Sequence, residues 1–170
     1  MTTSRRLLPV LLLPLLLAVT AFKETSPQVV PNSIDGQPLS ERAAQDKLPQ
    51  SRNPLWSRLA KCPSHFDNKT ALYSITLSPQ VKAMNGDTVT VNGFVLPLDG
   101  SDQTRHFLLT KRTPVCMYCP PGEPNEVIEV KSKHPVEWND SMVTMKGRFT
   151  LVNNGEKAIF FALDDAEKVK

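Results

Sequence analysis

β-branched and apolar residues recur in five short runs of the chain, and these runs predict five β-strands. Residues of this kind fit the pleated, half-buried surface of a sheet. The runs cover residues 88–95, 105–109, 126–130, 142–151 and 158–163. Turn-forming residues separate them, and Asn153-Asn154-Gly155 before the last run is typical of a hairpin turn. The pattern therefore predicts a mostly β domain.

Two glycines interrupt these runs, and they indicate how the strands close. Gly93 and Gly147 each lie inside a run of strand-forming residues, where a glycine indicates a bulge or a sharp bend. Five short strands with bends match a small closed barrel of the oligonucleotide-binding (OB) type. Upstream, the spacing of Leu55, Trp56 and Leu59 predicts a short apolar helical face before the barrel.

The N-terminus has the three-part layout of a secretory signal peptide. Arg5 and Arg6 precede an apolar stretch over residues 7–19, and the small residue Ala21 follows. About 13 apolar residues are too few for a membrane span, which needs about 18 or more. We therefore expect cleavage after Ala21, a periplasmic location and a mature chain that does not span the membrane.

The segment that follows, residues 22–54, contains five prolines and few apolar residues, so it predicts a flexible leader. A short helix is expected around residues 39–44, but nothing in the sequence requires it to pack. The ordered domain is expected to cover residues 55–170.

The charge balance and the motifs exclude several classes of function. Removing the signal peptide takes Arg5 and Arg6 away, so 20 basic residues become 18 against 17 acidic ones. The mature chain then carries a net charge of about +1, with no basic and aromatic face for nucleic acid. No nucleophile elbow, carboxylate pair or phosphate-binding loop is present, so enzyme activity is not expected.

Candidate chemistry lies in the sequence Cys116-Met117-Tyr118-Cys119, which Pro120 and Pro121 follow. Two thiols at this spacing can bind one metal ion, form a disulfide or act as a thiol–disulfide exchange pair. Exchange is disfavoured, because the sequence predicts no helix to activate the first thiol. Metal binding and a structural disulfide stay open.

A metal site needs further ligands, and the sequence offers three candidates. Cys62 and His65 form a second close pair, and with Cys116 and Cys119 they would complete a structural zinc site. His106, on the strand before the cysteine loop, is the competing nitrogen donor. In the disulfide alternative, Cys62 remains a spare thiol.

Four stretches of this sequence together resemble the bacterial exported proteins grouped as domain of unknown function 3299. They are VTVNGFVLPL from Val89, HFLL from His106, CMYCPPGEPNEVI from Cys116 and VTMKGRF from Val143. The resemblance runs over residues 55–163, with the leader outside it. It implies small periplasmic or lipid-anchored proteins, some associated with ABC-type export machinery and with zinc or other metals, which favours metal at Cys116 and Cys119. Cys62 and His65 lie outside the clearest motifs.

These observations lead to one hypothesis and one alternative. The hypothesis is a periplasmic, zinc-binding accessory protein that serves an ABC-type membrane transporter. The alternative is a non-enzymatic interaction module in which a disulfide joins Cys116 and Cys119 and no metal binds.

Overall fold

The chain forms a five-stranded barrel preceded by short helices and a small hairpin. The structure is a computed structural model that describes residues 39–115 and 121–169. The predicted signal peptide, residues 22–38, Cys116 and Cys119 lie outside the described residues. The helices are α1 (Leu39–Gln45), α2 (Pro54–Leu59) and α3 (Pro79–Ala83). The strands are β1 (Ser64–Asp67), β2 (Leu72–Ile75), β3 (Thr88–Pro97), β4 (Gln103–Thr110), β5 (Val127–Glu137), β6 (Val143–Asn154) and β7 (Ile159–Val169).

The barrel closes in the strand order β3-β4-β5-β7-β6, with β6 pairing back onto β3. Four of the five pairings are antiparallel, and the pairing of β5 with β7 is parallel. Each of the five predicted runs forms one barrel strand. The predicted mostly β, OB-like barrel with a short helical segment before it is confirmed.

Gly93 and Gly147 lie where neighbouring backbone approaches too closely for a side chain. A Cβ atom at Gly93 would lie 2.6 Å from the carbonyl oxygen of Thr110. One at Gly147 would lie 2.8 Å from the carbonyl oxygen of Asp164. A side chain at either position would clash with this backbone, which explains why both strand runs contain a glycine there.

Helix α2 packs into the core of the barrel. Asn53 caps its first turn, because the Asn53 side chain accepts a hydrogen bond from the backbone N–H of Leu55. The predicted apolar face, Leu55, Trp56 and Leu59, is buried in the same cluster as the barrel interior. This helix therefore supplies part of the hydrophobic core.

Two features of the strands differ from the sequence pattern. Strands β5 and β7 continue well beyond the predicted apolar runs, because their polar ends pair through the backbone with β4 and β6. The hairpin of β1 and β2 is a pair of four-residue strands for which the sequence analysis predicts no strand. Phe66 and Tyr73 hold it together with ring centroids 4.7 Å apart.

The predicted flexible leader, 22–54, overlaps residues 39–54, and there the structure differs from the expectation of a segment that packs on nothing. Helix α1 ends at Gln45, which is fully buried. Ser51 is also buried, and its hydroxyl donates to the carbonyl oxygen of Asn92 on β3 at 2.8 Å. The segment packs on the barrel through side-chain and backbone hydrogen bonds. A hydropathy pattern reports apolar burial only, so it does not predict these contacts.

We expect a chain that starts at Asn53 to be less stable than one that starts at Leu39 by about 3 kcal/mol. The shorter chain loses at least three buried hydrogen bonds of Gln45 and Ser51, each worth about 1 kcal/mol. Urea unfolding of the two chains measures the difference. Equal midpoints would show that residues 39–52 add nothing to the stability of the barrel.

No helix within residues 39–115 and 121–169 has the length and apolar character needed to cross a membrane.

Candidate functional site

The cysteine pair lies in the connection between β4 and β5. The outgoing arm of this connection is residues 111–115, and the return arm is residues 121–123 followed by a short 3-10 helix, Pro124–Glu126. Cys116 and Cys119 lie between the two arms, outside the described residues. The part of the site that the structure describes is therefore the two arms. We call these two arms the base of the cysteine loop.

The carboxylate of Glu126 joins the two arms. Its Oε1 lies 2.8 Å from the Lys111 Nζ, and its Oε2 lies 2.7 Å from the Arg112 Nε. Arg112 also pairs with Asp46, just beyond α1. The Glu126 side chain is only 8% exposed. We call Asp46, Lys111, Arg112 and Glu126 the ion cluster.

The surroundings move the pKa values of two glutamates in opposite directions. Burial of Glu126 opposes its ionisation, but hydrogen bonds from Arg112 and Lys111 and the charges of both residues outweigh burial and lower its pKa. Burial raises the pKa of Glu123; the charge of Arg42 opposes that rise and the charge of Glu126 adds to it. Glu126 is therefore stabilised as a carboxylate, whereas ionised Glu123 is disfavoured.

A segment of the N-terminal region runs alongside the outgoing arm, and we call residues 45–51 the strap. The backbone N–H of Ser51 donates to the carbonyl oxygen of Lys111 at 2.8 Å, and Gln50 forms a β-bridge with Arg112. The Thr113 hydroxyl donates to the carbonyl oxygen of Pro49 at 2.7 Å. The end of the strap is thus joined to the outgoing arm by an isolated β-bridge and two further hydrogen bonds.

Gln45, the first residue of the strap, contacts both arms. Its Nε2 donates to the carbonyl oxygen of Thr113 at 2.9 Å and to that of Pro121 at 3.4 Å. Its Oε1 accepts a hydrogen bond from Arg42 at 2.8 Å. One buried amide therefore connects the two ends of the cysteine loop.

Cys62, a predicted ligand, lies in the hydrophobic core and is completely buried. Its sulfur accepts a hydrogen bond from the backbone N–H of Ser78 at 3.3 Å, at the start of α3. Only its carbonyl oxygen is directed toward the loop, accepting from Asn125 at 3.0 Å. The thiol behaves as a small apolar group of the core.

The two predicted histidine ligands lie on different strands. His65 is exposed on β1. His106 is on β4, about 13 Å along the strand from Thr110 at the start of the loop, at about 3.3 Å per residue. Its Nε2 lies 2.7 Å from Glu129 Oε1 on the neighbouring strand β5.

The structure does not gather these three candidates into one cluster. Within residues 39–115 and 121–169, no group of three or more His, Cys, Asp or Glu side chains is arranged to hold a metal ion. Any metal held by this protein through the predicted site would therefore depend on Cys116 and Cys119.

Sequence reasoning misses the residues that build the base of the loop. Gln45 lies 68 residues before Thr113 and 76 before Pro121, its two acceptors. Arg112 and Glu126 are separated by 14 residues. The available signal is an acidic residue, Glu126, directly before a buried strand run.

Comparison with known proteins identifies a family. The model of the family described as Protein of unknown function (DUF3299) matches residues 28–160. The match begins inside the predicted leader, so the expected limits of 55–163 are corrected at the N-terminal side.

A crystal structure of a DUF3299 family protein from Pseudomonas aeruginosa PAO1 is similar over 72% of this chain and 84% of that chain, with 19% identity and a TM-score of 0.46. No curated protein matches this sequence. Because the family model covers most of its length, the chain belongs to the DUF3299 family.

Proposed function

We propose that this is a periplasmic accessory protein that binds a soft divalent metal ion, with zinc the best fit, through Cys116 and Cys119. The observation that carries the proposal is the closed base of the cysteine loop. Glu126 on the return arm pairs with Lys111 and Arg112 on the outgoing arm, so both ends of the thiol-bearing segment are held together. A loop whose ends are already fixed loses less conformational entropy when two thiolates bind one ion.

The ligand set of this proposal is smaller than the sequence alone suggests. The Cys62 thiol is enclosed in the core, and the His106 Nε2 is paired with Glu129. Two thiolates satisfy half of the tetrahedral coordination that zinc prefers. The remaining positions are open to water, to exposed His65 or to a ligand from a partner. An incompletely enclosed ion suits a protein that receives and passes on metal.

The transporter is the partner class that the family resemblance implies. An ABC-type membrane transporter in the same compartment would donate or accept the ion. In the alternative, Cys116 and Cys119 form a disulfide, and the same fixed base supports a non-enzymatic interaction module without metal.

The test is a zinc and free-thiol measurement on protein isolated from the periplasm. We expect about one zinc per chain, reduced Cys116 and Cys119, and an N-terminus at Phe22. Replacing either cysteine with serine should weaken zinc binding by roughly a hundredfold or more, because the chelate is lost. Binding should also weaken in mild acid, because protons compete for the thiolates.

Cys62→Ala is the matched control, since it removes the third cysteine without touching the loop. We expect it to lower stability but to leave zinc stoichiometry and affinity unchanged. A Cys116–Cys119 disulfide in periplasmic protein without metal would overturn the metal proposal and support the alternative. Loss of zinc from folded Cys62→Ala protein would overturn the two-cysteine ligand set.

A further inference from the structure

A groove on one side of the barrel is lined by three short segments: residues 94–96 of β3, residues 113–115 of the outgoing arm and residues 138–140 beyond β5. We call it the Trp138 groove. We infer that it is a docking surface for a segment of another protein in which an apolar side chain lies between basic residues. This inference goes beyond the proposed function and requires no bound metal.

The lining of the Trp138 groove is largely apolar. Phe94, Val95 and Leu96 on its β3 side are buried, whereas Val115 and Trp138 are 43% and 37% exposed. Exposed apolar side chains beside a buried apolar surface are typical of an interaction site.

The size of the groove indicates what it can hold. Its volume is about 270 Å³. Pockets that enclose drug-sized ligands have volumes of about 300–1,000 Å³. The Trp138 groove is therefore better suited to an apolar side chain of a protein segment than to a whole small molecule.

Negative charge lies beside the groove. Two loops, residues 98–102 and 138–142, contain three aspartates and no Lys or Arg. The loops are adjacent, because the backbone N–H of Trp138 donates to the carbonyl oxygen of Asp102 at 2.9 Å. All three aspartates are exposed, and none forms an ion pair within residues 39–115 and 121–169. They are Asp99, Asp102 and Asp140.

This charge determines which occupant fits. Arg112 directly precedes the lining residue Thr113, but Asp46 and Glu126 already compensate its charge. A second copy of the chain, docked groove to groove, would bring the same aspartates against each other, and like charges oppose that contact. A segment that places Lys or Arg on both sides of an apolar side chain matches both the groove and its aspartates.

The test measures binding of the peptide KKLFLKK, labelled with a neutral fluorophore, to the mature chain by fluorescence anisotropy. Two peptides serve as controls: EELFLEE reverses the charges, and KKSGSKK removes the apolar side chains. Trp138→Ala removes an apolar side chain of the groove, and Asp140→Lys reverses one charge beside it. Their matched controls are Leu72→Ala on β2 and Glu156→Lys between β6 and β7, two exposed residues that do not line the groove.

We expect KKLFLKK to bind about tenfold more tightly than either control peptide, and to bind more weakly at high salt, which screens the aspartates. Trp138→Ala and Asp140→Lys should each weaken binding about tenfold, and Leu72→Ala and Glu156→Lys should leave it unchanged. No binding of KKLFLKK, equal binding of the three peptides, or equal losses in the control variants would overturn the inference. Asp140→Lys keeps the test decisive if Trp138→Ala does not fold.

Sedimentation of the wild-type chain tests the competing occupant. We expect a monomer at the concentrations of the binding measurement. A dimer that Trp138→Ala dissociates would assign the groove to a second copy and overturn the inference. A chain that binds KKLFLKK as expected but binds no zinc would support the docking surface, and only the proposed function would fail.

Discussion

Replacing Trp56 with alanine is expected to lower the free energy of unfolding by about 4 kcal/mol. Trp56 is 2% exposed and lies in α2, within the core cluster of the barrel. Removing the indole leaves a large cavity that the surrounding strands cannot fill without shifting. It also removes a hydrogen bond, because the Trp56 Nε1 donates to the carbonyl oxygen of Asn92 at 2.9 Å.

Two variants separate these contributions. Trp56→Phe keeps most of the volume but loses the indole N–H, so a loss of about 2 kcal/mol is expected. Trp138, the second tryptophan of the protein, is 37% exposed, and Trp138→Ala should change stability little. Urea unfolding followed by far-UV circular dichroism measures all three variants. Equal losses for Trp56→Ala and Trp138→Ala would contradict the packing of α2 into the barrel.

Replacing Glu126 with glutamine is expected to lower the free energy of unfolding by about 2 kcal/mol near neutral pH. A full loss of 3 to 5 kcal/mol is typical when one partner of a buried ion pair is removed. The expected loss is smaller because the Lys111 side chain is 25% exposed and water screens its charge. Glutamine keeps the size of the side chain, but it leaves Lys111 and Arg112 without the carboxylate that both contact.

The same variant should change how stability depends on pH. The pKa of Glu126 is lower in the folded protein than in the unfolded chain. Its contribution is therefore fully present above the unfolded value of about 4.3 and is lost as the pH falls through the folded value. Wild-type stability should fall with acid in this window, and the Gln variant should show a smaller fall.

Two other glutamates are controls. Glu167 forms an exposed pair with Lys133, and Glu167→Gln should leave stability at neutral pH unchanged. The raised pKa of Glu123 means that its ionised form opposes folding, so Glu123→Gln should not destabilise the protein at neutral pH. If Glu126→Gln matches these controls in urea unfolding across pH 3 to 8, the ion cluster contributes nothing to the fold.

Local pattern was sufficient to predict the barrel. Each strand run combines β-branched and apolar residues over a few positions, and Gly93 and Gly147 interrupt them where backbones meet. Alternate residues of a strand lie on the same face, so a buried strand face can be predicted from a few consecutive residues. The apolar face of α2 was predicted for the same reason. The C-terminal ends of β5 and β7 were not predicted. These ends are polar and pair through their backbones, and backbone pairing leaves no pattern in the side chains.

The candidate site was also predicted only in part. The sequence by itself determined that two thiols, separated by two residues, lie between β4 and β5, and that spacing defines the chemistry they can perform. It did not determine the role of Cys62, whose placement in the core depends on the packing of α2 and α3. Nor did it determine that His106 pairs with Glu129, since that contact depends on strand register.

Only the tertiary structure decided what holds the cysteine loop. Gln45 reaches both loop arms from a segment that composition alone assigns to a flexible leader, and Arg112 joins Asp46 to Glu126 across two elements. Polar contacts of this kind link residues distant in sequence, and each depends on a few atoms meeting at hydrogen-bond distance. Hydrophobic patterning is periodic and local, so it determined the barrel. The anchoring of the loop is neither periodic nor local, and the folded arrangement alone brings those groups together.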